Sequence, residues 1–488
     1  MNELVTDVVV VGGGPAGSTA ATMLTKSGHS VVQLEREHHP RHQIGESLLP
    51  ATVHGICRLL DVFDEVNNAG FVVKRGGTFR WGKRAEPYTF AFRTTTLSDA
   101  DYAFQVERAR FDQILFENAR RHGVDAREGI DVLESIVEDG RVVGVRARGE
   151  DGEDLTVRAK YVIDASGHGS RLARHVGVRA YSDFFQNVAV YGYFRGAGRR
   201  PAPYEGNVIT AAFEQGWCWF IPLADGLTSV GAVVDRGHAG RIGKDREGAL
   251  MEFLQACPIV NELLETAERV DDDSMYGEVR IRKDWSYMSD RLTAPGIVLA
   301  GDAACFIDPV FSSGVHLGTY GAVLAARTVS TALAGEVDEA SCLQELERRY
   351  RREFSVWYDF LLAFFDVDHD WDDHFWTARK LLNTSERGNE AFINLIAGGA
   401  TAPEEFFSAR EGLGGEFDAM IPAIADVGEG ARAAAPDASP MTRLNDARVR
   451  ESRALIAGAD DIPLFEDGLV PTADGLRWMQ PAAVVQAG

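Results

Sequence analysis

Three glycines and one acid at the head of the chain have the spacing of a phosphate and ribose site. Gly12, Gly14 and Gly17 stand in Gly12-Gly13-Gly14-Pro15-Ala16-Gly17, which follows Asp7-Val8-Val9-Val10-Val11 without a gap. A β-branched run of this kind suits a strand of a parallel sheet, buried on both faces. A helix is expected to run from the glycines to Gly28, and a second strand from Ser30 to Leu34 ends at Glu35. In that frame Gly12 supplies a tight turn, Gly14 a close approach of backbone to pyrophosphate, and Gly17 the helix–strand contact. Pro15 and Ala16 open the helix whose positive end faces the phosphates. Glu35 is placed to accept from a ribose hydroxyl, so the unit predicts a bound dinucleotide.

Two later stretches favour FAD over NAD. Val162-Ile163-Asp164-Ala165-Ser166-Gly167 and Ile297-Val298-Leu299-Ala300-Gly301-Asp302-Ala303 each read as a strand ending in an acid and a small-residue turn. Dispersed strand ends suit a long cofactor, with Asp302 as an acceptor for its ribityl chain. Mid-chain, Gly216-Trp217-Cys218-Trp219-Phe220-Ile221-Pro222 puts two tryptophans on one face of a strand, and Pro222 is expected to stop the ladder. The result is a bulky wall. Lys74 lies between Phe71 and Trp81 among apolar and aromatic residues, on a strand entering the core. Burial lowers an ammonium's pKa and leaves amine free to hydrogen-bond or attack. Arg75 should point to the opposite face. Ser312-Ser313-Gly314 opens a helical run from Val315 to Leu333, whose first amides are free donors at a positive helix end.

The first 330 residues resemble the FAD-dependent aromatic hydroxylases, including Arg108-Ala109-Arg110-Phe111-Asp112, which is similar to that superfamily's RxxFD. The string Trp217, Trp219, Ile221, Pro222 (WxWxIP) resembles that of the flavin-dependent halogenases. So do Phe306-Ile307-Asp308-Pro309-Val310-Phe311-Ser312-Ser313-Gly314 (FxxPxxSxG) and Gly45-Glu46-Ser47-Leu48-Leu49-Pro50, and the likeness extends to the Leu464-Phe465 and Trp478 region. It is closest to the halogenases of glycopeptide-antibiotic and related pathways, which chlorinate tyrosine-like rings held on a peptidyl carrier protein.

This resemblance implies reduced FAD from a separate flavin reductase, molecular oxygen and chloride. A flavin hydroperoxide then yields hypohalous acid, which Lys74 receives. It implies Trp217, Trp219, Ile221 and Pro222 as a barrier over the flavin, and the amides of Ser313 and Gly314 as the halide seat. Arg36, Arg41, Ser47, Arg108, Asp164 and Pro309 join the glycines, Glu35 and Asp302 as cofactor contacts. Phe311 stands where tryptophan halogenases place a glutamate, which points the substrate toward phenols or pyrroles. The rival readings are an aromatic monooxygenase or reductase on the same scaffold, and a catalytically silent flavoprotein docking to a synthetase assembly.

With 488 residues, 45% of them hydrophobic, the chain can form two or three domains. The expected class is α/β. A Rossmann-type, aromatic hydroxylase-like FAD-binding domain takes residues 1–185 and 280–335, an antiparallel-sheet substrate domain 186–279, and a mostly helical C-terminal region 336–488. A net charge of −23 argues against nucleic acid. Cys57, Cys218, Cys257, Cys305 and Cys342 form no CxxC pair and read as reduced thiols of a cytoplasmic enzyme, with no structural metal. No apolar run reaches the ~18 residues of a membrane span. The histidine-rich stretch from Glu37 to His42 reads as a solvated loop beside the flavin. The stripe Phe354, Trp357, Tyr358, Phe360, Phe364 and Phe365 is core or a lid over the substrate ring, and residues 423–440 read as a linker. Arg195, Arg199 and Arg200, or the arginines between 348 and 352, are candidates for docking an acidic carrier.

Overall fold

The computed structural model describes residues 2–81, 86–92, 101–365 and 468–480. Its first sheet is built on the strand Asn2–Val11, which runs parallel to both Asp154–Asp164 and Val31–Leu34. Ile297–Leu299 extends the parallel set beyond Asp154–Asp164, and Asp125–Arg127 extends it beyond Val31–Leu34. Val8, Val9 and Val10 are wholly buried, as expected of a strand covered on both faces. The first helix, Pro15–Lys26, covers one face of this sheet and ends just before Gly28, whose φ of 90° only glycine adopts freely.

The second sheet is largely antiparallel and carries the tryptophan strand Gly216–Pro222 between Val208–Phe213 and Leu227–Asp235. Its neighbours beyond Leu227–Asp235 are Arg179–Arg195 and Arg280–Ser289. Side chains alternate across it with period two. Val190, Ile209, Cys218, Phe220, Val230, Ala232 and Val234 face away from the first sheet and bury the helices Arg246–Gln255 and Pro258–Leu263. Trp217, Trp219 and Ile221 belong to the main core on the other face. Gly76–Arg80 and Tyr88–Ala91 also join this sheet, through Val208–Phe213. The sheet is therefore not confined to 186–279, and cuts at 185 and 280 fall within or at the ends of strands. Pro222 does not stop the ladder as expected: it pairs with Thr228 as the strand's last residue, and Leu223 still donates to the Leu227 carbonyl. A proline at a strand end loses only one donor.

The helices Gly314–Ala334 and Glu339–Phe364 close the molecule. The hairpin of residues 470–479 packs on them, with Trp478 fully buried and its indole donating to the Thr328 hydroxyl at 3.1 Å. Phe354, Trp357, Tyr358, Phe360 and Phe364 are buried, which answers the question of the stripe in favour of core. Residues 423–440 and the Leu464-Phe465 pair lie outside the described residues. Among the described residues no helix is long and apolar enough to cross a membrane.

Candidate active site

A deep cleft runs between the two sheets. Gly12, Gly14, Pro15, Ala16, Glu35, Arg36, Arg41, Ser47, Arg108, Trp217, Trp219, Ile221, Asp302, Pro309 and Gly314 all line it. Sequence positions more than 300 residues apart thus meet around one space. At its head, Gly12 has φ 109°, and a Cβ there would lie 2.4 Å from the Ala165 carbonyl oxygen. Gly17 does not reach the cleft, because it lies against Gly12, whose carbonyl would be 2.0 Å from a Cβ. That is the helix–strand contact expected of it. Gly14 faces open space: a Cβ there would have only the Arg41 guanidinium within 4 Å, at 3.6 Å. No side chain caps the first helix at Gly14 and no acid sits in its first turn, so its free amides present an anion seat.

Arg41 and Arg108 hold the same buried acid. Arg108 makes a bidentate pair with Asp112 at 2.7 and 3.0 Å, and Arg41 reaches the second oxygen at 3.1 Å. Arg108 also donates to the Ile44 carbonyl at 2.6 Å, fixing the loop that carries Glu46 and Ser47. Arg41 also lies 3.7 Å from Glu35 and 3.5 Å from Glu37, so three carboxylates orient the two guanidiniums, whose remaining donors suit phosphate. Glu35 accepts from the Gly13 amide at 2.5 Å and the Glu37 amide at 3.0 Å and still borders the cleft. A glycine cradle that any Cβ would fill, an uncapped helix end, two arginines and a ribose acceptor in line fit FAD. Gly14, Arg41, Arg108 and Glu35 would hold its adenosine diphosphate half, and Asp302, paired with His168 at 2.8 Å, would lie further along.

Asp164 corrects one expectation. It is fully buried and absent from the cleft wall, and its carboxyl accepts from the Ser166 amide and hydroxyl at 3.1 and 2.6 Å and from the Ser170 hydroxyl. It shapes the turn that brings Ser166 and Gly167 to the cleft rather than facing a ligand. The histidine loop is solvated at Glu37, His38 and Pro40, as expected, but not at His39 and His42. His39 is buried against Glu128 at 2.9 Å, and His42 Nε2 lies 2.8 Å from the Tyr193 hydroxyl. Among the described residues, no cluster of three or more His, Cys, Asp or Glu could hold a metal.

The tryptophans form a wall. Trp217 is 3% and Trp219 7% exposed, with ring centroids 6.1 Å apart. Trp219 stands directly opposite Gly231, where a Cβ would lie 2.5 Å from its ring carbons and from Tyr191 Cβ. Only a glycine lets this indole lie across the neighbouring strand. Its Nε1 donates to the Ser229 hydroxyl at 3.2 Å. Sequence reading missed Gly231, although its alternation with Ser229 and Val233 on the face of the tryptophans was visible.

Lys74 is 2% exposed and not itself on the cleft wall. Its amine donates to the Ser47 hydroxyl at 2.8 Å and the Leu48 carbonyl at 2.9 Å, and Ser47 does line the cleft. Burial, with no counter-charge beside it among the described residues, pushes its pKa down to about 7. Arg75 points outward, its side chain 46% exposed and 3.9 Å from Asp101. On the side away from Ser47, Lys74 lies 5.5 Å from the Phe92 ring centroid. From there Phe90, Phe79, Phe311 and Phe364 follow with centroid spacings of 4.7 to 5.8 Å for Phe92–Phe90, Phe90–Phe79 and Phe364 against Phe311 and Phe79. The amine therefore borders a packed cluster of buried aromatic rings.

At the far end of the cleft, Ser312 has φ 62°, and Ser313 caps the helix Gly314–Ala334 without a side-chain hydrogen bond. The first-turn amides are therefore not taken by the serine hydroxyl. Gly314 borders the cleft, whereas Ser313 is buried just behind it. Asp284, unmarked by any motif, also lines the cleft. It is 3% exposed, and neither of its carboxyl oxygens has a hydrogen-bond partner. Burial first, and then the neighbouring charge of Asp308, raise its pKa well above the carboxylate range.

A family model described as tryptophan halogenase matches residues 7–96 and 93–414. A Chondromyces crocatus protein named tryptophan 2-halogenase is 37% identical over 380 residues, spanning 77% of this chain and 71% of that protein. The solved structure of the myxobacterial chondrochloren halogenase CndH, described as a new variant of FAD-dependent halogenases, is similar with a TM-score of 0.76 at 48% identity, covering 98% of this chain and 100% of that one. That of CmlS, a flavin-dependent halogenase, gives 0.73 at 30% identity over 97% of this chain and 84% of that one.

Proposed function

The chain belongs to the tryptophan halogenase family and is an FADH2-dependent halogenase, and from that premise we propose that it chlorinates a tyrosyl-type phenol, tethered to a peptidyl carrier protein. The observation that carries the phenol is Phe311, whose ring packs 4.9 Å from Phe360 and 4.7 Å from Phe364. The cation that forms when an indole is attacked benefits from a carboxylate, and this position supplies none. A phenol activates its own ring by losing its proton. The tether rests on the resemblance to halogenases acting on carrier-bound rings, and the partner reductase is what this family normally requires.

Bound in its reduced form, FAD supplies the electrons with which oxygen converts chloride to hypohalous acid. The chain's part is to separate that oxidant's source from its target. Trp217 and Trp219 fill the space over the cleft and keep an aromatic substrate from the cofactor, while a molecule the size of hypohalous acid can pass. The first-turn amides at Ser313 and Gly314 offer donors to halide at a positive helix end. Lys74, partly amine near neutral pH, binds the oxidant by hydrogen bonding or as a chloramine and presents it to the substrate ring.

The test supplies reduced FAD, oxygen and chloride with free and carrier-loaded tyrosines and with tryptophan, and reads product mass. Chlorine in place of hydrogen on the loaded phenol is the expected result. Chlorination of free tryptophan alone, as the name of the Chondromyces relative would have it, overturns the substrate assignment. Gain of one oxygen overturns the barrier.

A further inference from the structure

Glu46 is 1% exposed, borders the cleft and has no part in the chemistry described so far. Its Oε1 accepts from the Tyr193 hydroxyl at 2.8 Å, and that hydroxyl lies 2.8 Å from His42 Nε2. Tyr193 is fully buried, whereas His42 is only partly covered, packed edge-on against Tyr193 and Tyr276. The three groups form an unbroken hydrogen-bonded chain from the partly covered His42 to the cleft. Glu46 Oε2 completes no well-directed hydrogen bond, with the Ser229 hydroxyl beside it. Ser229 in turn accepts from Trp219, so the acid adjoins the tryptophan wall.

The family reaction sets a demand that this chain can meet. The sum R–H + FADH2 + O2 + Cl⁻ + H⁺ → R–Cl + FAD + 2 H2O balances in atoms and charge only with one proton taken up per turnover. The cleft where that proton is needed is lined by Trp217, Trp219 and Glu46 itself. We propose that Glu46 delivers this proton to the cleft and is recharged through Tyr193 and His42. After Glu46 gives up its proton, Tyr193 passes its hydroxyl proton to Oε1. His42 Nε2–H then re-protonates the tyrosine oxygen, water supplies a proton at Nδ1, and a ring flip turns the protonated nitrogen toward Tyr193 for the next turnover. No bond other than O–H and N–H changes.

The electrostatic surroundings suit the task. Burial raises the Glu46 pKa to about 7, opposed by the adjacent Ser229 hydroxyl, the Tyr193 hydrogen bond and Arg108, with Glu107 adding to the rise. Burial together with Arg280, Arg282 and Arg108 lowers His42 to about 4, so the imidazole is neutral and carries a proton only in passing. Tyr191 and Tyr276, the other titratable groups close by, are pushed up to about 12 and stay protonated. This inference rests on the family reaction and not on which ring is chlorinated.

Tyr193→Phe and His42→Gln break the chain at separate links, and Glu46→Gln removes the acid. FAD binding, followed by flavin fluorescence, should stay within about twofold of wild type in the two relay variants. Proton uptake in a single turnover, read with an indicator dye alongside flavin absorbance, should slow by about 100-fold in each. Infrared spectra of the protein without flavin should show a protonated carboxyl band that titrates near neutrality, is absent in Glu46→Gln, and shifts to higher pH in Tyr193→Phe. Wild-type rates of uptake in both relay variants, or a Glu46 carboxyl ionised throughout the range from about pH 5 to 9, would overturn the relay. Wild type is run in parallel without an organic substrate, so a wrong substrate assignment leaves the result unchanged. If one relay variant fails to fold, the other still decides.

Discussion

Lys74 and Ser47 share a 2.8 Å hydrogen bond, and the serine faces the cleft while the lysine does not. A single hydroxyl thus separates the cofactor space from the buried amine. Because Lys74 is buried, its protonation is also visible in stability. Its pKa falls from 10.5 to about 7 on folding, so the unfolded chain binds the extra proton in that interval. Wild type should therefore gain stability relative to Lys74→Met as pH rises from about 7 toward 10.5, with a constant difference below 7. Chemical denaturation at a series of pH values reads this directly, and a difference that stays flat across the window would contradict the burial argument.

Gly231 seats Trp219. Gly231→Ala should push the indole into the cleft and cost about 1 to 3 kcal/mol, the usual range for overpacking. Flavin affinity should fall with it. Adding Trp219→Phe should restore both flavin binding and stability, and a lack of rescue would show that Gly231 acts in some other way.

Asp284 is a buried acid without a partner beside a second acid. Asp284→Asn should stabilise the chain at neutral pH. A carboxyl whose pKa is raised by folding keeps its full stability below the unfolded value of 3.8 and loses it as pH rises toward the folded value. The benefit of the substitution should accordingly vanish near pH 3.8 and grow above it. Thermal melts at several pH values decide it.

Asp112 holds Arg41 and Arg108 together. Removing it with Asp112→Ala leaves Arg108 without its carboxylate and Arg41 with only the longer contacts to Glu35 and Glu37, and should cost about 3 to 5 kcal/mol. FAD should stabilise the variant only weakly, because both guanidiniums lose their orientation.

Parts of this site could be read from sequence because they depend on local rules. The glycine turn needs positive φ and a close approach, and strand alternation alone puts Trp217 and Trp219 on one face while sending Cys218 and Phe220 to the other. Asp164 misled because an acid at a strand end reads as a ligand contact whether it faces out or folds back onto its own turn. Asp284 and Gly231 carry no motif, and their meaning comes from which strand lies alongside. His42 was hidden for the same reason, since Tyr193 is 151 residues away. The aromatic stripe of the last long helix had the right periodicity for either role, and only its packing against Phe79, Trp81 and Phe311 resolved it.

Under the proposed function, oxidant made on the cofactor side of the tryptophan wall reaches the ring on the other side through Lys74. Lys74→Ala, given reduced FAD, oxygen and chloride, should bind flavin, consume oxygen and release hypochlorous acid that a soluble diketone trap captures, while the aromatic substrate stays unchlorinated. Chlorination of the substrate by Lys74→Ala at the wild-type rate and position would contradict this division of labour.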